Sequence, residues 1–173
     1  MMTDLDCLYL HISTPISLYL HNICLESWFL KLIIVGEKIM NSSIDYTATT
    51  TQFKADVNKH LYFKKDNNNF INVLSVNQLN TLDNTSLLDI YLSTNHVIEP
   101  HYHQNAAELV YCISGSAIVS ILNPFTKELS HHTLTPGQVA NVPQGWWHYE
   151  VAKTDHTHLL AIFNASLLQV RHT

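Results

Sequence analysis

The sequence predicts an all-β chain, an antiparallel sandwich or barrel, preceded by an N-terminal extension. Three observations predict it. From Phe70 onward the chain reads as short apolar runs, several alternating with polar residues. No helical stretch separates these runs. The breaks between them are turn sequences: Asp66-Asn67-Asn68-Asn69, Ser114-Gly115-Ser116, Asn123-Pro124, Thr135-Pro136-Gly137 and Pro143-Gln144-Gly145.

Residues 1–39 differ in character from the rest. Residues 18–32 are rich in Leu, Ile and aromatics, and residues 25–34 can be helical. Residues 7–25 carry no charge but are broken by His11, Ser13, Pro15, His21 and Asn22. That is too polar for a transmembrane helix, which needs about 20 mostly apolar residues. Asp4 and Asp6, with no small-residue cleavage site after the apolar part, make a poor secretory signal. Gly36-Glu37 can be encoded GGA-GAA, which resembles a bacterial ribosome-binding site placed just before Met40. Residues 1–39 therefore read as translated upstream sequence or as an ordinary N-terminal helix, with an export or membrane segment as the third alternative. Residues 40–69 read as a polar arm, with one helical turn near 53–61.

The strands follow in order. Residues 70–76 form the first. In 87–94, Leu88, Ile90 and Leu92 alternate against Asp89, Tyr91 and Ser93. His101 and His103 share one face of a strand whose start tolerates Pro100. Residues 107–113 and 117–122, joined at Ser114-Gly115-Ser116, carry a hairpin signal. Residues 127–134, 138–142, 147–152 and 158–163 complete the set. The domain spans residues 70–165, and 166–173 is a tail. There is no internal repeat.

The chain carries a net charge of −5 without any Lys/Arg cluster, which leaves nucleic-acid binding without an electrostatic footprint. Its only arginine is Arg171. Cys7, Cys24 and Cys112 are odd in number and irregular in spacing, so no disulfide framework is expected. These features lead us to expect a cytoplasmic protein that binds neither membrane nor nucleic acid, with a small molecule as its ligand.

Chemistry concentrates between residues 101 and 148. His101-x-His103 is followed after four residues by Glu108 and after six more by Gly115. Gly137 is followed after five residues by Pro143, then Gly145 and, after two more, His148. Three of the four glycines in the chain stand on turn positions of this pattern. Three imidazoles and one carboxylate can close around one divalent cation; the set suits Mn, Fe, Ni, Co or Zn. A lone histidine in a chain with twelve would carry little weight. Four groups at these spacings carry much more.

The two patterns, and the run from Glu99 to Glu108, resemble the cupin superfamily and within it the germin and oxalate-decarboxylase branch. The resemblance covers residues 70–163. It selects a single cupin jelly-roll β-barrel, places His101, His103, Glu108 and His148 on the metal, and implies Mn as the usual ion and a homodimer as the usual assembly. Asn95 stands where the family often has glycine, and Ala152 where it often has asparagine. In that branch an arginine near the metal holds the substrate and a glutamate on a lid moves the proton. No arginine lies within 70–165, where Lys127 and Lys153 are the only permanent cations. That argues against efficient oxalate turnover.

Glu99 and Glu150 are the free carboxylates nearest the pattern and weak candidates for a proton shuttle; an exposed role is expected for both. Tyr102 should point away from the metal. Trp146 and Trp147 should pack the barrel or wall the pocket. Adjacent His131 and His132 should face solvent, and His96, His156 and His158 should be surface or supporting groups. Three functions remain open: a metal-dependent decarboxylase or oxidoreductase acting on a small organic acid or oxygen species, a non-catalytic ligand-binding cupin serving as sensor or store, and a sugar isomerase or epimerase.

Overall fold

A computed structural model describes residues 44–167 and 169–172. The readings made for residues 1–39 lie outside the described residues. Among the described residues, eleven strands form two antiparallel sheets. They are β1 (Leu61–Lys64), β2 (Phe70–Leu74), β3 (Ser86–Leu92), β4 (Val97–His103), β5 (Glu108–Ser114), β6 (Ala117–Leu122), β7 (Leu129–Leu134), β8 (Val139–Val142), β9 (His148–Ala152), β10 (Thr157–Phe163) and β11 (Val170–His172). One sheet runs β1-β2-β3-β10-β5-β8 and the other β11-β4-β9-β6-β7.

Alternation along the strands builds the interior. In β10, Thr157, Leu159, Ala161 and Phe163 are buried while the residues between them are only half-buried. β5 repeats this with Glu108, Val110 and Cys112 inward and Leu109, Tyr111 and Ile113 exposed. Ile90, Leu92, Val110, Cys112, Val119, Val142, Leu159 and Phe163 form the core between the sheets. Each such side chain contributes up to about 1.5–3 kcal/mol by leaving water.

Three expectations need correction. Ser114-Gly115-Ser116 is not a hairpin turn. β5 pairs with β10 and β8, whereas β6 pairs with β7 and β9, so this turn carries the chain from one sheet to the other. The arm at residues 40–69 has more structure than its polarity implies. The helical turn expected near 53–61 is the 3₁₀ turn Val57–Lys59, but β1 after it is unforeseen: it adds an edge strand to β2 through backbone hydrogen bonds that need no apolar pattern. The tail likewise ends in β11, with Val170, Arg171 and His172 in register with His103, Tyr102 and His101.

Asn95 and Ala152, the two departures from the resembled pattern, are joined by a backbone hydrogen bond. Asn95 has φ +65°, a left-handed conformation that asparagine tolerates better than most residues. Ala152 is fully buried, and its N–H and C=O pair with His96 and Asn95.

Candidate metal centre

β4, β5 and β9 converge at one end of the barrel interior. His101 and His103 come from β4, Glu108 opens β5, and His148 opens β9 directly opposite His101 in register. The turn before His148 is closed by Trp146 N–H donating to the Pro143 carbonyl (3.1 Å). Gly145 N–H donates to the His103 carbonyl (2.9 Å), which ties that turn to β4. The four side chains are buried, and their ligand atoms lie within 4.8 Å of one another.

Second partners orient the rings. His101 Nδ1 donates to the Glu99 carbonyl (2.7 Å), His148 Nδ1 to the Trp146 carbonyl (3.0 Å) and His103 Nδ1 to the Gln169 carbonyl (3.3 Å). A carbonyl only accepts, so each Nδ1 carries its proton and Nε2 is left for the centre. The Nε2 atoms of His103 and His148 lie 3.1 and 2.8 Å from Glu108 Oε2. Phe163 stands edge-on to His103 at 4.9 Å between ring centroids and seals that side.

Electrostatics follow from this crowding. Burial works to raise Glu108, but hydrogen bonds from His103 and His148 overcome it and hold the carboxyl well below its usual range. Burial opposes charge on His148, yet the hydrogen bond and charge of Glu108, with Glu150 adding to them, lift it to about 9. Burial, reinforced by the charge of His148, lowers His101 to about 4. The centre thus favours one cation among its imidazoles even before a metal arrives.

The donor set fits a divalent ion: three nitrogens, one carboxylate oxygen, no sulfur, and Nδ1–H tautomers already selected. Bound there, such an ion would supply Lewis-acid or redox chemistry at its open positions.

Other residues fall into place around the centre. Glu99 is exposed, and its carbonyl rather than its carboxylate serves the site. Glu150 contradicts the expectation of exposure: it is buried beside His148. Tyr102 packs outward on Trp147 with centroids 4.9 Å apart, and Trp146 packs against the core. His131 and His132 are exposed, although His131 Nδ1 meets Ser120 Oγ at 2.8 Å. His158 is away from the centre, paired with Asp89 (2.6 Å) and stacked on Tyr91. The Gln169 carbonyl escaped sequence reasoning because a backbone oxygen in a tail carries no pattern.

The cupin family profile matches residues 53–171, more than half of the chain. The chain belongs to the cupin family. Among curated relatives, this cupin is 36% identical to glutelin type-B 2 of Oryza sativa subsp. japonica over 64 residues, 37% of the chain and 12% of the glutelin. Among solved structures it superposes on the oxalate decarboxylase of Bacillus subtilis with a TM-score of 0.61 and 21% identity, covering 70% of this chain and 31% of that one. It superposes on the coconut allergen cocosin with a TM-score of 0.60 and 23% identity, covering 65% and 30%. The cupin here therefore spans about a third or less of these relatives. At such identities the superpositions show the fold alone. No helix among the described residues is long and apolar enough to cross a membrane.

Proposed function

We propose that this cupin is a divalent-metal-dependent enzyme of the oxalate-decarboxylase and germin kind, acting on a small organic acid or oxygen species. The observation that carries the reading is the convergence of His101, His103, Glu108 and His148, buried and pre-oriented by backbone carbonyls. Groups without a ligand to hold would not need three separately fixed tautomers. Mn is the preferred ion, because the oxalate decarboxylase of Bacillus subtilis, which shares the fold, is described as having Mn(II) centres. Fe, Ni, Co and Zn suit the same donors. A cytoplasmic setting agrees with Cys112, a free buried thiol.

The chain's own residues narrow the substrate. Lys127 and Lys153 are both exposed, so neither can pair with a substrate carboxylate inside the barrel. Unless Arg171 supplies the missing cation, monoanions and oxygen species suit the interior better than a dianion such as oxalate. The superposition on the coconut allergen cocosin supports a second reading, a non-catalytic ligand-binding cupin. Metal analysis with electron paramagnetic resonance, followed by assays with superoxide, formate and oxalate, separates the two. Stoichiometric Mn or Fe with product formation is the expected result. A Zn-filled protein without turnover would favour the binding module.

We also propose a homodimer. Leu109, Tyr111, Ile113 and Val139 form an exposed apolar row beside β8, an edge strand of the larger sheet. Light scattering on a sizing column should give twice the chain mass, and Tyr111→Lys should halve it. A monomeric wild type would refute the pairing.

A further inference from the structure

Glu150 lies two residues beyond His148 on β9, so the pleat turns both side chains inward. It registers between Ile98 of β4 and Val119 of β6, both apolar. It is 1% exposed, and neither carboxyl oxygen has a hydrogen-bond partner. Oε1 lies 3.8 Å from His148 Nε2, the nitrogen turned to the metal centre.

Such a group is costly. A buried carboxyl without a partner loses about 1–3 kcal/mol or more relative to a satisfied one. An apolar side chain of that size would suit the Ile98 and Val119 surroundings better. Native interiors seldom leave such groups orphaned unless a water, ion or ligand completes them.

Glu150 is not among the four groups whose ligand atoms share a common 4.8 Å neighbourhood. It lies next to the centre, with Oε1 3.8 Å from the His148 nitrogen that would hold the ion. We propose that Glu150 positions, through one hydrogen bond, the small oxygen ligand taken up at an open position of the ion: a water, or a monocarboxylate of formate size. This role rests on the metal reading of the four groups. Glu150 has the required reach, and it is the buried side chain by His148 that still lacks a hydrogen bond. With both barrel lysines exposed, a monoanion or neutral ligand is the class it can serve.

The test uses the Co(II)-loaded protein, with formate titrated against the visible absorption of the ion. Wild type, Glu150→Gln and Glu150→Leu should each take up one Co(II) per chain. Glu150→Gln should bind formate within about threefold of wild type, because the amide can still donate or accept a hydrogen bond. Glu150→Leu should bind it about tenfold more weakly, the loss of one buried hydrogen bond. A second readout needs no metal: metal-free Glu150→Leu should melt above wild type, since the orphaned carboxyl is gone. Unchanged formate affinity in Glu150→Leu at full Co(II) content would overturn the role and leave the metal reading intact. Failure of wild type to bind Co(II) would overturn both.

Discussion

His148→Ala is expected to weaken binding of Mn(II) or Co(II) by at least about 100-fold, because even partners that only orient a ligand are worth 10–100-fold. It removes one of four ligands and leaves Glu108 with a single imidazole partner in a buried site. The same residue gives binding a pH dependence of known sign. In the metal-free protein His148 is raised to about 9 and so carries a proton at neutral pH. A metal accepts only the neutral imidazole, so uptake expels that proton. Affinity should rise with pH up to about 9, by as much as about tenfold per unit for one displaced proton. Calorimetry in two buffers of different ionisation enthalpy measures the release directly. Affinity that stays flat between about pH 6 and 8 would contradict the protonated centre. In the metal-free protein the stabilising contribution of His148 is complete below its ordinary 6.5 and is lost as pH climbs through about 9.

Gly115→Ala is the second large effect, this time on folding. Gly115 has φ +73°, and a Cβ there would meet Thr157 Oγ1 at 2.6 Å, Thr157 Cα at 2.7 Å and Thr154 Oγ1 at 2.9 Å. Thr157 cannot move aside. It is fully buried at the start of β10, in the middle of the larger sheet, and its hydroxyl donates to the Thr154 carbonyl at 2.7 Å. Left-handed strain of about 1–2 kcal/mol adds to about 1–3 kcal/mol of overpacking. A loss of about 2–5 kcal/mol should lower the melting temperature by roughly 4–20 °C. Gly137 is the control. Its φ is +87°, but nothing lies within 4 Å of an added Cβ, so Gly137→Ala should cost only the conformational part. Equal losses from both substitutions would show that the Thr157 contact carries no weight.

The strands were legible where burial imposes alternation. β2, β3 and β5 to β10 fall within two residues of the runs read from the sequence. Two of the four edge strands among the described residues, β1 and β11, were not. β1 has all four residues exposed, and its pairing rests on backbone groups that every sequence has. β11 is short and sits in what reads as a tail. The turn at Gly115 was legible as a turn but not as a crossing between sheets, since a tight glycine turn serves either connection.

The candidate centre divides the same way. The spacing of His101, His103, Glu108 and His148, with glycines at the turns between them, was sufficient to name the four groups and the kind of ion they suit, because ligand chemistry is written in residue types. The sequence also determined that residues 70–165 hold no arginine and, as permanent cations, only Lys127 and Lys153. Only the tertiary structure decided which way the rings turn and what surrounds them. The carbonyls of Glu99, Trp146 and Gln169 choose the tautomers, and such backbone oxygens are anonymous until the chain folds. Glu150 shows the limit most plainly. Its spacing from His148 puts both on one strand face, yet a charged side chain reads as exposed, and only the structure shows it buried against His148 without a hydrogen-bond partner.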